Sequence, residues 1–249
     1  MYRMRGEFLV KSGKKSIFPK IILLFMLLPL GIPFLIPEIG LAYSGVTYQL
    51  IAKEKIVALT FDDGPHPIYT PQILDILDQY QAKATFFMIG SRMEEYPDIA
   101  KEVSARGHLI GNHTYTHPDN LRTLSPKELK WEIDQCQLSM QRIAGQNTYL
   151  FRPPRGILNQ EIIKIVQDKG YTIVLWGICT FNRSAPTPEM MATRVINYAH
   201  PGLIVLLHDG RTDFRWKDVV ATRLIVENLS RQGYRFVTLE ELKPGNKPH

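Results

Sequence analysis

The chain has 249 residues, 45% of them hydrophobic and 22% charged, which excludes a disordered or fibrous protein and suits one good-sized domain. Its net charge of +6 is concentrated at the start, since residues 1–44 carry six basic and two acidic residues while 45–249 carry 24 and 22. The body lacks the electrostatic footprint of a DNA or RNA binder, so no nucleic acid is expected as a partner.

The first segment reads KSGKKSIFPK (11–20), then the apolar run 21–37, then Ala42-Tyr43-Ser44. A basic region, an apolar core and small residues describe a secretory signal. The run has 17 residues, at the lower limit for spanning a bilayer, and Pro29, Pro33 and Pro37 make it a poor helix. Residues 1–44 are therefore expected to be a signal peptide or membrane anchor that engages the membrane and its secretion machinery. The basic flank would stay cytoplasmic and send 45–249 outward, secreted or held at the membrane. Cys136 and Cys179 form no CxxC, which excludes a disulfide scaffold and a cysteine-based zinc site. A single disulfide between them stays open in an oxidising compartment.

From residue 55 onward, short apolar runs alternate with helical patterns. Strands are expected at 55–61, 84–89, 108–112, 148–151, 172–177, 203–208 and 235–239. Helices are expected at 71–80, 93–106, 126–144, 159–169, 188–199 and 218–232. Thr70-Pro71, Ser125-Pro126 and Thr187-Pro188 each set a capping residue before a proline at the first helical position. Apolar strands such as LIVLL suit a parallel sheet covered on both faces. The expected fold is α/β, a distorted (β/α) barrel of about seven parallel strands in a single catalytic domain, 45–249, with an open doubly wound sheet as the alternative.

Four polar clusters follow strands. Asp62 and Asp63 end the first, in TFDDGP; His113 and His117 follow the third, in HTYTH; Arg152 follows the fourth, in RPPRG; His208 and Asp209 end the sixth, in LLHDG. Taken singly, each has a structural explanation: Asp-Asp-Gly-Pro is turn chemistry, and an HxxxH pair occurs by chance. Their common position at C-terminal strand ends, where α/β sites assemble, argues for one site. One helical turn would put His113 and His117 on one face. His66 sits in a proline-flanked loop that need not point inward, and His108 is expected to be structural.

Two imidazoles and a carboxylate bind a divalent ion with open positions, the pattern of catalytic metals. A second carboxylate beside the resulting water suits a general base, and a histidine opposite suits a general acid. No G-x-S-x-G elbow is present, so metal-assisted hydrolysis fits the parts.

The ordered set TFDDGP (60–65), HTYTH (113–117), RPPRG (152–156) and LLHDG (206–210), together with ATFFMIG and GHLIGNHTYTHP, resembles the polysaccharide deacetylases of carbohydrate esterase family 4, the NodB-homology domain. The resemblance covers roughly 55–240 and implies a distorted (β/α) barrel. It implies Asp62 as general base, Asp63, His113 and His117 as metal ligands, Arg152 as the residue that orients Asp62, and His208 as general acid. It further implies Leu206 in the acetyl pocket and the Arg155 backbone N–H at the oxyanion. Zinc is the implied metal, with cobalt or nickel as alternatives, and an acetylated cell-wall or matrix polysaccharide is the implied substrate. The chain departs from the family at Asp-x-x-Asp-Trp, where Cys179, Asn182 and Arg183 stand. The second aspartate of that segment pairs with the catalytic histidine in relatives. Asn182 supplies no charge, which leaves Asp209 or Asp213 to substitute. The same departure keeps two alternatives in view, a catalytically weak carbohydrate-binding relative and an O-acetyl esterase.

Overall fold

A computed structural model describes Tyr43, residues 45–180 and residues 186–242. The expected signal or anchor, apart from Tyr43, lies outside the described residues, as do Asn182 and Arg183. Among the described residues no helix is long and apolar enough to cross a membrane.

The strands are β1 (Val46–Thr47), β2 (Ile56–Asp62), β3 (Ala84–Met88), β4 (Leu109–Asn112), β5 (Leu150–Phe151), β6 (Thr172–Val174), β7 (Ile178–Cys179), β8 (Leu203–His208) and β9 (Arg235–Phe236). They pair in parallel in the order β1-β6-β5-β4-β3-β2-β8-β7, and β9 also pairs with β2. The helices are α1 (Tyr69–Gln79), α2 (Gly90–Glu95), α3 (Pro97–Ala105), α4 (Pro126–Ala144), α5 (Gln160–Asp168), α6 (Pro188–Tyr198) and α7 (Trp216–Arg231). The sheet curls into the distorted barrel expected from the sequence.

Strand parity divides the apolar residues. Val57, Leu59 and Phe61 of β2, with Leu203, Val205 and Leu207 of β8, face outward and pack with Ile73, Leu77, Ile225 and Leu229 of the helices. Ile56, Ala58 and Ile204 face inward and join Phe87, Leu150, Val174 and Leu239 in the lower half of the barrel. Both faces are buried, so these strands carry apolar runs rather than an alternating polar face. The inward set continues upward through Thr60 and Asp62 on β2, and through Leu206 and His208 on β8, because residues two apart share a face.

Two elements differ from the sequence pattern. The expected 172–177 strand is two short strands: β6 pairs with β5, the chain bends over 175–177, and β7 pairs with β8. The bend takes one chain segment from one side of the opening to the other and closes the barrel. An antiparallel bridge between Gln49 and Leu203 and a 2.7 Å bond from Leu50 N–H to the Gly202 carbonyl add to the closure. The expected 93–106 helix is broken into α2 and α3 at Tyr96, because Pro97 has no N–H to continue the ladder and starts the next helix instead.

Caps also sort themselves. Ser125 and Glu128 form a reciprocal capping box at α4, and Thr187 caps α6. Thr70 does not cap α1, which begins earlier, at Tyr69. The His66 Nδ1 accepts from the N–H groups of Ile68 at 3.1 Å and Tyr69 at 3.4 Å, so this histidine is structural. Cys136 and Cys179 remain thiols.

Candidate active site

The upper, C-terminal end of the barrel gathers every cluster picked out in the sequence. Asp62 lies on the inward face of β2 and is 4% exposed. Its Oδ1 accepts from Arg152 Nη1 at 2.8 Å. Arg152 is fully buried, and the same Nη1 reaches Thr60 Oγ1 at 2.8 Å. Its Nε and Nη2 donate to the carbonyls of Val174 at 3.1 Å and Leu175 at 2.9 Å. Those carbonyls belong to the last residue of β6 and the first of the bend that follows, so one guanidinium both holds the start of the bend and fixes Asp62. Phe87 lies 4.1 Å below its carbon, a cation–π contact. Burial pushes the proton affinity of Arg152 down, and the Asp62 carboxylate opposes this.

Asp63 follows with φ +77°, a left-handed backbone that turns its carboxylate back over the barrel mouth. Asp63 Oδ1 lies 3.5 Å from His113 Nε2 and 3.2 Å from His117 Nε2. One ligand atom from each of the three lies within 4.8 Å of the others, and all three residues are buried. Burial alone would raise the Asp63 carboxyl; hydrogen bonds from His113 and His117, then the charge of His113 and His208, hold it well below the usual carboxylate range. His113 is pushed down by burial and pulled up by Asp62 and Asp63, with a net rise.

His113 and His117 do not sit on a helical turn, contrary to the expectation from their spacing. They occupy a loop in which Thr114 and His117 have φ of +67° and +57°. The loop is held from α4: Glu132 Oε2 accepts from the N–H groups of Tyr115 and Thr116, each at 2.8 Å, and Oε1 accepts from Thr116 Oγ1. Asn112 Oδ1 accepts from Thr114 N–H at 3.0 Å. Glu132 was not visible as a site residue in the sequence, since a glutamate inside an amphipathic helix carries no local signal.

The donor set fits a divalent ion. His113 Nδ1–H donates to the Arg152 carbonyl at 2.8 Å, which leaves Nε2 as the ligating atom. An oxygen and two imidazole nitrogens suit zinc and its first-row neighbours, whereas calcium and magnesium prefer all-oxygen sites. The guanidinium of Arg211, another left-handed residue, lies against the His117 ring, 3.1 Å from Nε2.

His208 stands beside Asp62 across the ladder between β2 and β8. Its backbone N–H donates to Asp218 Oδ1 at 3.2 Å, and its Nδ1 is buried without a partner among the described residues. Burial and then Arg215 push the imidazole down; Asp218, Asp63 and Asp62 pull it up, with a net fall. Arg215 also reaches Asp63 Oδ2 at 3.4 Å. Neither aspartate named from the sequence takes the place of the missing one. Asp209 Oδ2 accepts from Thr70 Oγ1 at 2.6 Å, and its carboxyl, raised by burial to about 7, packs over Gly64. Asp213 is exposed, and its carbonyl accepts from Tyr69 O–H.

Leu206 is 4% exposed on the same face of β8 as His208. Arg155 has φ +58° in a turn after Arg152, and its side chain pairs with Asp119 at 2.6 Å. Backbone left-handed at Asp63, Thr114, His117, Arg155 and Arg211 concentrates strain at this rim, where a functional site holds it.

Comparison with known proteins agrees with the geometry. The family model for polysaccharide deacetylase matches residues 50–174. The chain belongs to the polysaccharide deacetylases, carbohydrate esterase family 4. It is 43% identical over 199 residues to a peptidoglycan-N-acetylglucosamine deacetylase of Bacillus cereus, covering 79% of this chain and 92% of that protein. A peptidoglycan-N-acetylmuramic acid deacetylase of Bacillus subtilis is 33% identical over 194 residues, covering 76% of this chain and 72% of that one. A crystal structure of a peptidoglycan N-acetylglucosamine deacetylase superposes with a TM-score of 0.75 at 33% identity, covering 80% of this chain and 92% of that one. The chain is thus a hydrolase of the deacetylase family, with the metal-ligand cluster of a metal-dependent enzyme in place.

Proposed function

We propose that this deacetylase removes acetyl groups from N-acetylated sugars of a cell-wall polysaccharide outside the cytoplasm. The observation that carries the reading is the convergence of an Arg152-held carboxylate, the Asp63–His113–His117 cluster and His208 at one barrel rim. Relatives named for peptidoglycan sugars support the substrate class. Residues 1–44 serve as the export signal or anchor, and 45–249 form the catalytic domain.

Asp63, His113 and His117 hold the metal, most simply zinc. When bound, the ion polarises the acetyl carbonyl and makes water a better nucleophile at neutral pH. Asp62, kept in place by Arg152, accepts the proton of the attacking water. The backbone N–H of Arg155 donates to the oxygen that gains charge. His208 then gives a proton to the sugar nitrogen as the C–N bond breaks, releasing acetate and a free amine. Leu206 packs against the acetyl methyl group and restricts the pocket to a short acyl chain.

The test is acetate release from a panel of N- and O-acetylated glycans by the zinc-loaded protein, with Asp62→Asn alongside. Release from N-acetylated glycans, reduced by at least about a hundredfold in the variant, is expected. Release from O-acetyl esters alone would reassign the protein as an esterase, and none from either class would contradict the reading.

A further inference from the structure

His208 carries an unmet requirement. Among the described residues its Nδ1 is buried with no hydrogen-bond partner, an arrangement that folded proteins rarely leave standing. The segment after β7 offers Asn182, which has no charge, and residues 180–187 contain no acidic side chain. Four other carboxylates stand nearby or were candidates by sequence, and each is already engaged or turned away. Asp62 is held by Arg152, Asp63 faces His113 and His117, Asp209 lies against Gly64 with Oδ2 bonded to Thr70 and Oδ1 buried without a partner among the described residues, and Asp213 is exposed.

Asp218 is different. It lies in the first turn of α7, is 3% exposed, and its Oδ1 already accepts the backbone N–H of His208 at 3.2 Å. A carboxylate has lone pairs to spare for a second donor on the same residue. Its Oδ2 lies 3.7 Å from Arg215 Nη1, and the helix around it is anchored by Ala221, Ile225 and Leu229 in the core. The first turn of a helix favours a negative charge.

We propose that Asp218 is the positioning residue of His208, accepting Nδ1–H of the imidazole so that Nε2 faces the cleft. The inference rests on the proposed role of His208 as proton donor. Asp218 thereby supplies, from α7, the anion that the segment after β7 lacks. The charged groups facing His208 are Arg215 and Asp218 from the α7 side, Asp62 from β2 and Asp63 from the turn after it. Removing Asp218 alone leaves Arg215 to lower the proton affinity of the imidazole.

The test uses the zinc-loaded full chain and two readouts. Nitrogen NMR of wild-type His208 reports which ring nitrogen carries the proton in the neutral form; the proposal requires Nδ1–H. The pH profile of kcat for acetate release is then compared among wild type, Asp218→Asn and Asp218→Glu. The asparagine variant keeps an acceptor for the backbone N–H but loses the charge. Its alkaline limb should move down by about one pH unit and kcat should fall about tenfold with KM unchanged. The glutamate variant should keep the limb at the wild-type position. A proton on Nε2 in wild type, or an unmoved limb in Asp218→Asn, would overturn the proposal. If the asparagine variant does not fold, the wild-type tautomer decides alone. If wild type releases no acetate, the functional reading fails while the tautomer still settles Asp218.

Discussion

Arg152 shows how much one side chain can carry. It is wholly buried, yet its donors meet Thr60, Asp62 and the carbonyls of Val174 and Leu175, so its charge and its geometry are both used. Lysine keeps the charge and loses the planar fork. Arg152→Lys should therefore cost about 3 kcal/mol in urea unfolding and remove most acetate release, since breaking a buried pair strands its partner. His108 makes a separate prediction. It is 2% exposed, its Nδ1 accepts from Ala84 N–H at 3.2 Å, and burial, reinforced by Lys83 and Arg106, pushes it from 6.5 to about 4. The folded state keeps it neutral while the unfolded chain protonates near 6.5, so its contribution is complete above pH 6.5 and is lost as pH falls toward 4. The loss amounts to about 3 kcal/mol, and His108→Gln should flatten that part of the stability–pH curve.

At the level of elements, local chemistry was readable wherever the chain itself supplies the partner. Ser125-Pro126 with Glu128 three residues on forms the capping box of α4, and Ser125→Ala should cost about 1 kcal/mol in chemical denaturation. Where the partner comes from elsewhere, sequence reasoning missed it. Thr70 looked like the cap of α1 but is held between His66 N–H and Asp209, while His66 caps the helix instead. The HxxxH spacing suggested a helical turn, yet the two rings converge from a loop that Glu132 grips across α4. The break at Pro97 was missed as well, although the proline carries it locally: the expected 93–106 helix ends before Pro97, which has no N–H to continue the ladder. Elements at the rim also approach closely through glycine. A Cβ at Gly210 would stand 2.0 Å from the Asp63 carbonyl, a backbone atom that cannot turn aside. Gly210→Ala should therefore displace Asp63, weakening zinc binding by calorimetry and lowering the melting temperature together.

For the whole molecule, parity explains why the fold and most of the site could be inferred before the structure. The four motifs end strands that run in parallel, so their C-terminal ends meet at one rim, whatever the exact strand count. The inner face passes from Ile56, Ala58 and Ile204 below to Thr60, Asp62 and His208 above, separating a stabilising half from a reactive one. What the sequence did not display is the closure: a six-residue apolar run looked like one strand, and its division is explained by the buried guanidinium that donates to the carbonyls of Val174 and Leu175. Asp218 was hidden for the same reason, since its meaning depends on β8 rather than on its neighbours in α7.

The central claim is that Asp63, His113 and His117 form the metal centre of a polysaccharide deacetylase. It is tested most directly by following acetate release from an N-acetylated glycan in one preparation, first zinc-loaded, then fully chelated, then reloaded. Zinc bound at one ion per chain, activity abolished by chelation and restored by zinc are the predicted results. An unchanged rate after complete removal of metal, or stoichiometric zinc with no release from any acetylated glycan, would contradict it.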